Sequence, residues 1–525
     1  MASLRFFHLN LYNTATNQFE PTQLVVDHGI ITAVERSNVP LAADRQIDCG
    51  GMALLPGFTD AHLHLPGSLL YQRHGVNLMG CSTLDEYREN LRAFPAAGQT
   101  MLRGFGWSQR LFQDTPGALN AFVSFLNQAF PSLPVVLFSD DYHSCICNNK
   151  LLEIASAFLP SAAFRTHTGI LTERSVFSLL HHLPGLAFRQ EEIEEALLAY
   201  QSMLCARGIT AVQALMPIGM NEDACWRALQ SLERRGLWHL HVCFAVTAHP
   251  TNRPERLLAR YQALKARQSP LIRLHTIKIY IDGVVDNGSA FLKAPYEGSA
   301  RCGSAIWNTE QLVDFCTRCD HEAIQLHAHV IGDAAAAQVT RALERAMAAN
   351  GHLHNENRHV LAHLQLADCA TAAKIGRLAL LCALQPFWFA QEEIYAVDLA
   401  QLGERAQREY PCSSLLQQGA RISFGSDSPV TPDPSPLLGM YCAMNRQDNS
   451  ERLTFSQALA AYTSAGAYQL FRENEAGRIA PGYRADFTLL HTPAAFPSLS
   501  ALSAASVART YIGGQCIWIN NQMKG

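Results

Sequence analysis

Eight short apolar or β-branched runs, each followed by a helical pattern, recur along this chain of 525 residues. The runs cover residues 53–58, 209–215, 239–246, 275–281, 323–329, 359–363, 379–385 and 421–426. Short apolar runs also occur in buried helices, so we assign these runs to strands because of the helical patterns that follow them. Alternating β and α units predict a parallel sheet, and eight of them predict an α/β protein with a (β/α)8 TIM-like barrel.

Two regions fall outside this alternation. About 150 residues separate the first run from the second, so residues 66–200 are predicted to form a long insertion after barrel strand 1, with strands of its own such as 133–138. The chain ends read as short strands, with Gly513-Gly514 as a hairpin turn. We therefore expect residues 1–55 and 478–525 to form a composite β-sandwich domain, and residues 56–477 to form the barrel with its insertion.

Composition excludes several classes of protein. Apolar residues make up 48% and charged residues 16%, so a disordered chain is excluded. Lys and Arg number 41 against 45 Asp and Glu, a net charge of −4 that predicts neither a nucleic-acid partner nor a membrane-binding patch. The opening sequence MASLRFFHLN lacks the pattern of a signal peptide, so a cytoplasmic location is expected.

The pattern of cysteines is also consistent with the expected cytoplasmic location. All 15 are scattered between Cys49 and Cys516, without the dense spacing of a disulfide framework. Cys316 and Cys319 form one CxxC pair in a predicted helix at 309–320, and no second pair completes a zinc site. Reduced thiols in the core or on the surface are the simpler prediction.

Histidines and other ligand-type residues cluster at the ends of the predicted strands. His62 and His64 are two residues apart, so on a strand both side chains point to one face, at the end of the barrel where active sites lie. Three later runs contain further residues of this kind: Lys278, then His327 and His329, then His363. Asp427 directly follows the last run. Singly, each of these has a structural explanation; together they predict a metal site inside the barrel.

An ordered series of motifs resembles the amidohydrolase superfamily, and in detail its YtcJ-like (amidohydrolase type 3) branch, which includes enzymes like N-substituted formamide deformylase. The motifs are PGFTDAHLHL (56–65), GFGWSQ (104–109), DDYHSCICNNKLL (140–152), TGILTE (168–173), GITAVQ (208–213), KIYIDGVVDNGSAFL (278–292), HAHVIGDAA (327–335), RHVLAHLQ (358–365), QPFW (385–388), GSDSPV (425–430) and AGRIAPGYRADFTLL (476–490). They span nearly the whole chain.

The resemblance implies a centre with two divalent metal ions, zinc being the best match to the ligand types. It assigns His62, His64 and Asp427 to one ion. It assigns His329 and His363 to the other, with Lys278, carboxylated by CO2, as the bridge. His329 is preferred to His327 because it directly precedes Val-Ile-Gly-Asp, but the sequence alone also allows the opposite assignment.

The implied reaction is hydrolysis of a non-peptide C–N bond in a small amide, such as an N-acyl, N-formyl or cyclic amide. Water between the two ions becomes hydroxide and attacks the carbonyl carbon, and Asp427 acts as the base. Alternatives are an esterase or lactonase, a deaminase, or a catalytically silent regulatory homologue. The bridging lysine counts against the deaminase, and the intact ligand set counts against the silent homologue. The resemblance also implies a homodimer.

Four residues are predicted to contact the substrate: Trp107, Asp141, His143 and His327. His143 is also a candidate to polarise the substrate carbonyl. The alternatives are that Trp107 belongs to the core and His143 makes a folding contact. Asp282, directly after the lysine strand, is either a residue that orients a ligand or part of an ordinary Asp-Gly turn.

The sequence also departs from the family's pattern. The segment at 282–292 after Lys278 is longer than in many relatives, which leaves the substrate contacts there open. Cys145 and Cys147 replace other small or apolar residues, and we expect them to be core or pocket-wall thiols.

Overall fold

The computed structural model describes residues 2–36, 39–95, 98–113, 117–140, 144–159, 169–172, 174–183, 186, 188–390, 392–492 and 496–520. Its strands are β1 Leu4–Asn13, β2 Gln18–Asp27, β3 Ile30–Glu35, β4 Arg45–Pro56, β5 Phe58–His64, β6 Val76–Asn77, β7 Leu102–Trp107, β8 Val135–Ser139, β9 Ser144–Cys147, β10 Ile170–Thr172, β11 Ile209–Leu215, β12 His241–Ala248, β13 Ile272–Tyr280, β14 Gln325–Val330, β15 Val360–His363, β16 Leu381–Leu384, β17 Arg421–Phe424, β18 Phe487–His491, β19 Ser506–Ile512 and β20 Gln515–Ile519.

The helices are α1 Leu69–His74, α2 Leu84–Ala93, α3 Arg110–Gln113, α4 Ala118–Ala129, α5 Asn149–Ala155, α6 Arg174–His182, α7 Gln190–Ala206, α8 Glu222–Arg234, α9 Pro254–Lys265, α10 Thr309–His321, α11 Asp333–Ala349, α12 Cys369–Arg377, α13 Glu392–Leu402, α14 Cys412–Gln417, α15 Pro436–Met444, α16 Phe455–Tyr462, α17 Ser464–Gln469 and α18 Leu499–Ala504. Turns of 3-10 helix cover Pro386–Ala390, Gly403–Arg408 and Asn449–Glu451.

The chain divides into two compact units. The first comprises Met1–Leu63, Gln201–Leu215 and His239–Gly525, and the second comprises His64–Tyr200 and Met216–Trp238. The division passes through the last residues of β5.

An eight-stranded sheet in the order β17-β16-β15-β14-β13-β12-β11-β5 forms the barrel. The registered pairs from β11 to β17 are parallel. The two edge strands approach each other, because the amide of Asp427, just after β17, donates to the carbonyl oxygen of His62 in β5 at 2.7 Å. Gln469 also links them: its Nε2 donates to the Ala61 carbonyl at 2.8 Å, and Ser423 Oγ donates to its Oε1 at 2.5 Å. The predicted TIM-like barrel is confirmed in this form, as a nearly closed parallel sheet.

The predicted bounds of the first barrel strand were wrong. Residues 53–56 end β4, and the barrel begins with β5 after Gly57. Gly57 lets the chain pass from one sheet to the other, since a Cβ at this position would lie 2.4 Å from Thr210 Oγ1. The apolar residues Leu54 and Leu55 before Gly57 and Phe58 after it form one continuous run, so hydrophobicity alone did not separate the two strands.

Strands from both chain ends share a seven-stranded sheet, in the order β20-β19-β18-β4-β1-β2-β3. Its buried face packs Phe6 against Phe487 and Tyr511, with ring centroids 5.1 Å apart in both pairs. The predicted hairpin at Gly513-Gly514 is confirmed, because both glycines have positive φ between β19 and β20. A separate composite domain with the predicted limits stays a prediction.

The second unit contains a five-stranded sheet in the order β10-β9-β8-β7-β6. Its core includes Trp107, Phe122 and Ile146, all fully buried. Cys145 and Cys147 on β9 are buried too, with their sulfur atoms 3.7 Å apart. These two are therefore core thiols within the second unit.

The cysteines are all free, including Cys316 and Cys319, which lie buried on α10. Within the described residues, no helix combines the length and the apolar character that crossing a bilayer requires.

Candidate metal centre

Three of the predicted ligands converge at the end of β5. Donor atoms of His62, His64 and Asp427 all lie within 4.8 Å of one another, and all three side chains are buried. His62 Nε2 lies 3.2 Å from Asp427 Oδ1. His64 Nδ1 lies 2.8 Å from the carbonyl oxygen of Met216, a contact typical of a metal-binding imidazole that uses its other nitrogen. Imidazole and carboxylate donors at this spacing fit a divalent metal ion.

The backbone around Asp427 holds its carboxylate against β5. Asp427 has φ of 57°, a region uncommon for residues other than glycine. The buried carboxylate of Asp60 accepts hydrogen bonds from the amides of His62 and Ser426, at 3.1 and 3.0 Å. Burial raises the pKa of Asp60 to about 7. Asp60 thus joins the two strand ends that carry His62 and Asp427, a role that the sequence analysis missed although the residue lies within the first motif.

His363 lies beside this group at the end of β15. Its ring centroid is 4.8 Å from that of His62 and 4.6 Å from that of His329. Its Nδ1 lies 2.8 Å from Gln385 Oε1, so Nε2 is the nitrogen suited to bind a metal. Burial lowers the pKa of His363 well below its ordinary value, which keeps the imidazole neutral as a ligand must be. Trp388 stacks on His363 with ring centroids 5.4 Å apart.

His329 is held from the loop after β13. Its Nε2 lies 3.2 Å from the Gly283 carbonyl oxygen. The neighbouring Asp282 carboxylate is fully buried and accepts the amides of Phe291, Ile331 and Gly332 at 2.9, 3.0 and 2.8 Å. Asp282 therefore ties the end of β13 to the end of β14, so it is more than a turn residue.

Lys278 lies inside the barrel with 1% of its surface exposed. It is the register partner of His327 on the next strand, and its Nζ lies 4.9 Å from the centroid of the Tyr280 ring. Burial lowers the pKa of Lys278 to about 7, an effect that the negative charge of Asp427 opposes. A substantial fraction of the amine is therefore neutral near pH 7, the form that reacts with CO2.

His327, on β14, contacts the predicted ligand His62 on β5. Its Nε2 lies 3.0 Å from His62 Nδ1, whereas Asp427 Oδ1 lies 3.2 Å from the other ring nitrogen of His62, Nε2.

Of the other residues predicted to contact the substrate, the structure describes Trp107. Trp107 is fully buried, packs against Phe112 and donates from Nε1 to the Leu137 carbonyl at 2.8 Å. Its position favours the alternative that it belongs to the core. Asp141 and His143 lie outside the described residues.

A family model described as the amidohydrolase family matches residues 45–518. The chain belongs to the amidohydrolase family. It is 26% identical over 512 residues to the protein YtcJ of Bacillus subtilis (strain 168), which its name describes as an amidohydrolase; the match covers 90% of each chain. It is 23% identical over 509 residues to the N-substituted formamide deformylase of Arthrobacter pascens, covering 89% of each. The resemblance recognised in the sequence is confirmed.

A solved structure shares the fold of this amidohydrolase. The crystal structure of a metal-dependent hydrolase from Pyrococcus furiosus superimposes with a TM-score of 0.71 at 22% identity, covering 93% of this chain and 98% of that chain. Family membership together with the donor set makes the protein a metal-dependent hydrolase.

Proposed function

We propose that this amidohydrolase hydrolyses a non-peptide C–N bond of a small amide: an N-acyl, N-formyl or cyclic amide. The observation that carries the proposal is the convergence of His62, His64 and Asp427 within 4.8 Å, with the rings of His363 and His329 alongside. A relative named for the deformylation of N-substituted formamides supports this bond type.

The proposed ligand set has two parts. His62, His64 and Asp427 would hold one divalent ion, and His329 and His363 a second, with zinc favoured by the donor types. Lys278 would bridge the two as a carbamate, because CO2 converts its buried amine into an anionic oxygen donor and removes the cost of burying a cation. Ions bound there would lower the pKa of water to near 7 and polarise the carbonyl group of the substrate.

Asp427 would move the proton in the proposed reaction. Its carboxylate lies at the end of β17, 3.2 Å from His62 Nε2, and is 6% exposed, so it borders the space where the substrate carbonyl would lie. It would accept the proton of the attacking water and pass it to the leaving nitrogen. Cleavage of the C–N bond then yields a carboxylate and an amine.

Supporting residues keep the ligands in orientation. Gly283 and Met216 offer carbonyl oxygens to His329 and His64, and Gln385 offers its amide oxygen to His363. Such contacts select one ring nitrogen for the metal and hold the ring in place.

The test is a substrate screen with protein of measured metal content. Zinc-loaded protein is assayed against N-formyl, N-acyl and cyclic amides, with matched esters and lactones as the competing class. We expect close to two metal equivalents per chain and turnover on at least one amide class. Higher kcat/KM on the esters would favour the esterase alternative, and an absence of turnover on every compound would contradict the proposal.

A further inference from the structure

We propose that His327 is a positioning residue that orients His62 for metal binding, and that it is not itself a metal ligand. The inference rests on the metal centre of the proposed function, and it decides between the two histidines of the HAHVIGD motif. It assigns to His327 a role distinct from the substrate contact that the sequence suggested.

The contact between the two rings supports this role. His62 and His327 are both fully buried, and their rings meet edge to face with centroids 4.8 Å apart and planes at 74°. His62 Nδ1 lies 3.0 Å from His327 Nε2, while His62 Nε2 lies 3.2 Å from Asp427 Oδ1. His62 therefore presents Nε2 to the ligand cluster and Nδ1 to His327.

This arrangement determines which atoms carry protons. A histidine that binds a metal through Nε2 carries its proton on Nδ1. The N–H at Nδ1 of His62 then donates to Nε2 of His327, so His327 is the acceptor and is protonated on Nδ1. Because Nε2 of His327 is engaged by His62, this atom is unavailable as a metal donor.

The other proposed ligands show the same arrangement with oxygen acceptors. One ring nitrogen of each lies within hydrogen-bond distance of an oxygen atom: the Met216 carbonyl for His64, the Gly283 carbonyl for His329 and the Gln385 side chain for His363. For His62 an imidazole takes this position. His327 thus occupies the place of a supporting acceptor.

The position next to Lys278 explains why an uncharged acceptor suits this site. Lys278 and His327 are register partners on β13 and β14, so their side chains point to the same face of the sheet. A carboxylate at position 327 would add a negative charge beside a carbamate on Lys278. A neutral imidazole supports His62 without this repulsion.

The experiment measures cobalt(II) binding to the full chain without substrate, by competition with a chelator and by the visible absorption of the bound ion. His327→Leu removes the acceptor, His327→Gln keeps an oxygen acceptor of similar reach, and His329→Leu removes a proposed ligand. His359→Gln is the matched control, since His359 is also fully buried but contacts Asp320 at 3.0 Å.

We expect His327→Leu to bind the same number of cobalt ions as the wild type, with affinity lowered about 10–100-fold and a shifted absorption spectrum. His327→Gln should restore most of the affinity, and His359→Gln should leave the spectrum unchanged. His329→Leu should lose one equivalent.

Loss of one equivalent in His327→Leu, as in His329→Leu, would overturn the inference and make His327 a ligand. Wild-type affinity in His327→Leu would overturn it as well. If the leucine variant does not fold, as judged by circular dichroism, the glutamine variant decides: folded protein with affinity reduced more than about tenfold refutes the role as acceptor. Cobalt binding needs no substrate, so a protein that behaves as expected here but hydrolyses no amide would refute only the proposed function.

Discussion

Replacing Asp282 with asparagine tests whether this carboxylate holds together the ends of β13 and β14, the strands that carry the proposed ligands Lys278 and His329. The carboxylate is fully buried and accepts three backbone N–H groups, from Phe291 and Gly332 on Oδ2 and from Ile331 on Oδ1. An asparagine offers one oxygen and one NH2 group, so at least one of these buried N–H groups would face a donor. Hydrogen bonds to a charged acceptor each contribute about 1.5–3 kcal/mol.

The loss of one such bond, together with the weakening of the others, gives an expected destabilisation of about 2–4 kcal/mol. For a chain of this length, the scaling of unfolding entropy converts that into a drop in Tm of about 2–4 °C. The metal affinity should fall as well, because Asp282 precedes Gly283, whose carbonyl oxygen lies 3.2 Å from His329 Nε2.

Differential scanning calorimetry and chelator competition measure the two effects. Asp333→Asn is the matched control: Asp333 accepts the Lys293 amide at 2.8 Å but is partly exposed at the start of α11, so its replacement should cost less than about 1 kcal/mol. An Asp282→Asn variant whose Tm and metal affinity equal those of the control would refute the reasoning.

Three further changes follow from the site and its surroundings. Asp427→Asn should lower kcat by more than about a hundredfold with an unchanged circular dichroism spectrum; activity within tenfold of the wild type would place the base elsewhere. Native mass spectrometry should show the added mass of one CO2 in the wild type and not in Lys278→Met. The same added mass in both proteins would contradict a carbamate on Lys278. Burial, with Asp398 beside it, raises the pKa of Glu409 to about 9 from an ordinary 4.5, so the folded protein holds a proton that the unfolded chain releases. Stability from this group is lost as pH rises through about 9, so the Tm of Glu409→Gln should rise relative to that of the wild type between about pH 5 and 9. A difference in Tm that does not change with pH would contradict the raised pKa of Glu409.

The sequence identified most of the barrel because its strands are buried runs separated by helical patterns. The run at 209–215 matches β11 residue for residue, and six others are displaced by only a few positions. The bounds of the first strand were wrong for a physical reason: the apolar run continues across Gly57 to Phe58, while the strand pairing and the close approach of Gly57 to Thr210 show that the chain changes sheets there.

Supporting residues were harder to foresee than candidate ligands. Gln385 and the Gly283 carbonyl meet their histidines through contacts between different strands, and no spacing along the chain encodes such a contact. Trp107 belongs to a motif shared with the family, yet its indole lies in the core of the second unit.

By itself, the sequence determined the family, the alternation of strands and helices, and a set of ligand-type residues at the strand ends, because periodicity and residue chemistry are local properties. The tertiary structure decided which nitrogen of each imidazole faces the cluster, and that His327 contacts His62 Nδ1 while His329 lies beside His363. Both histidines point to the same face of β14, so only the packing of neighbouring strands distinguishes them.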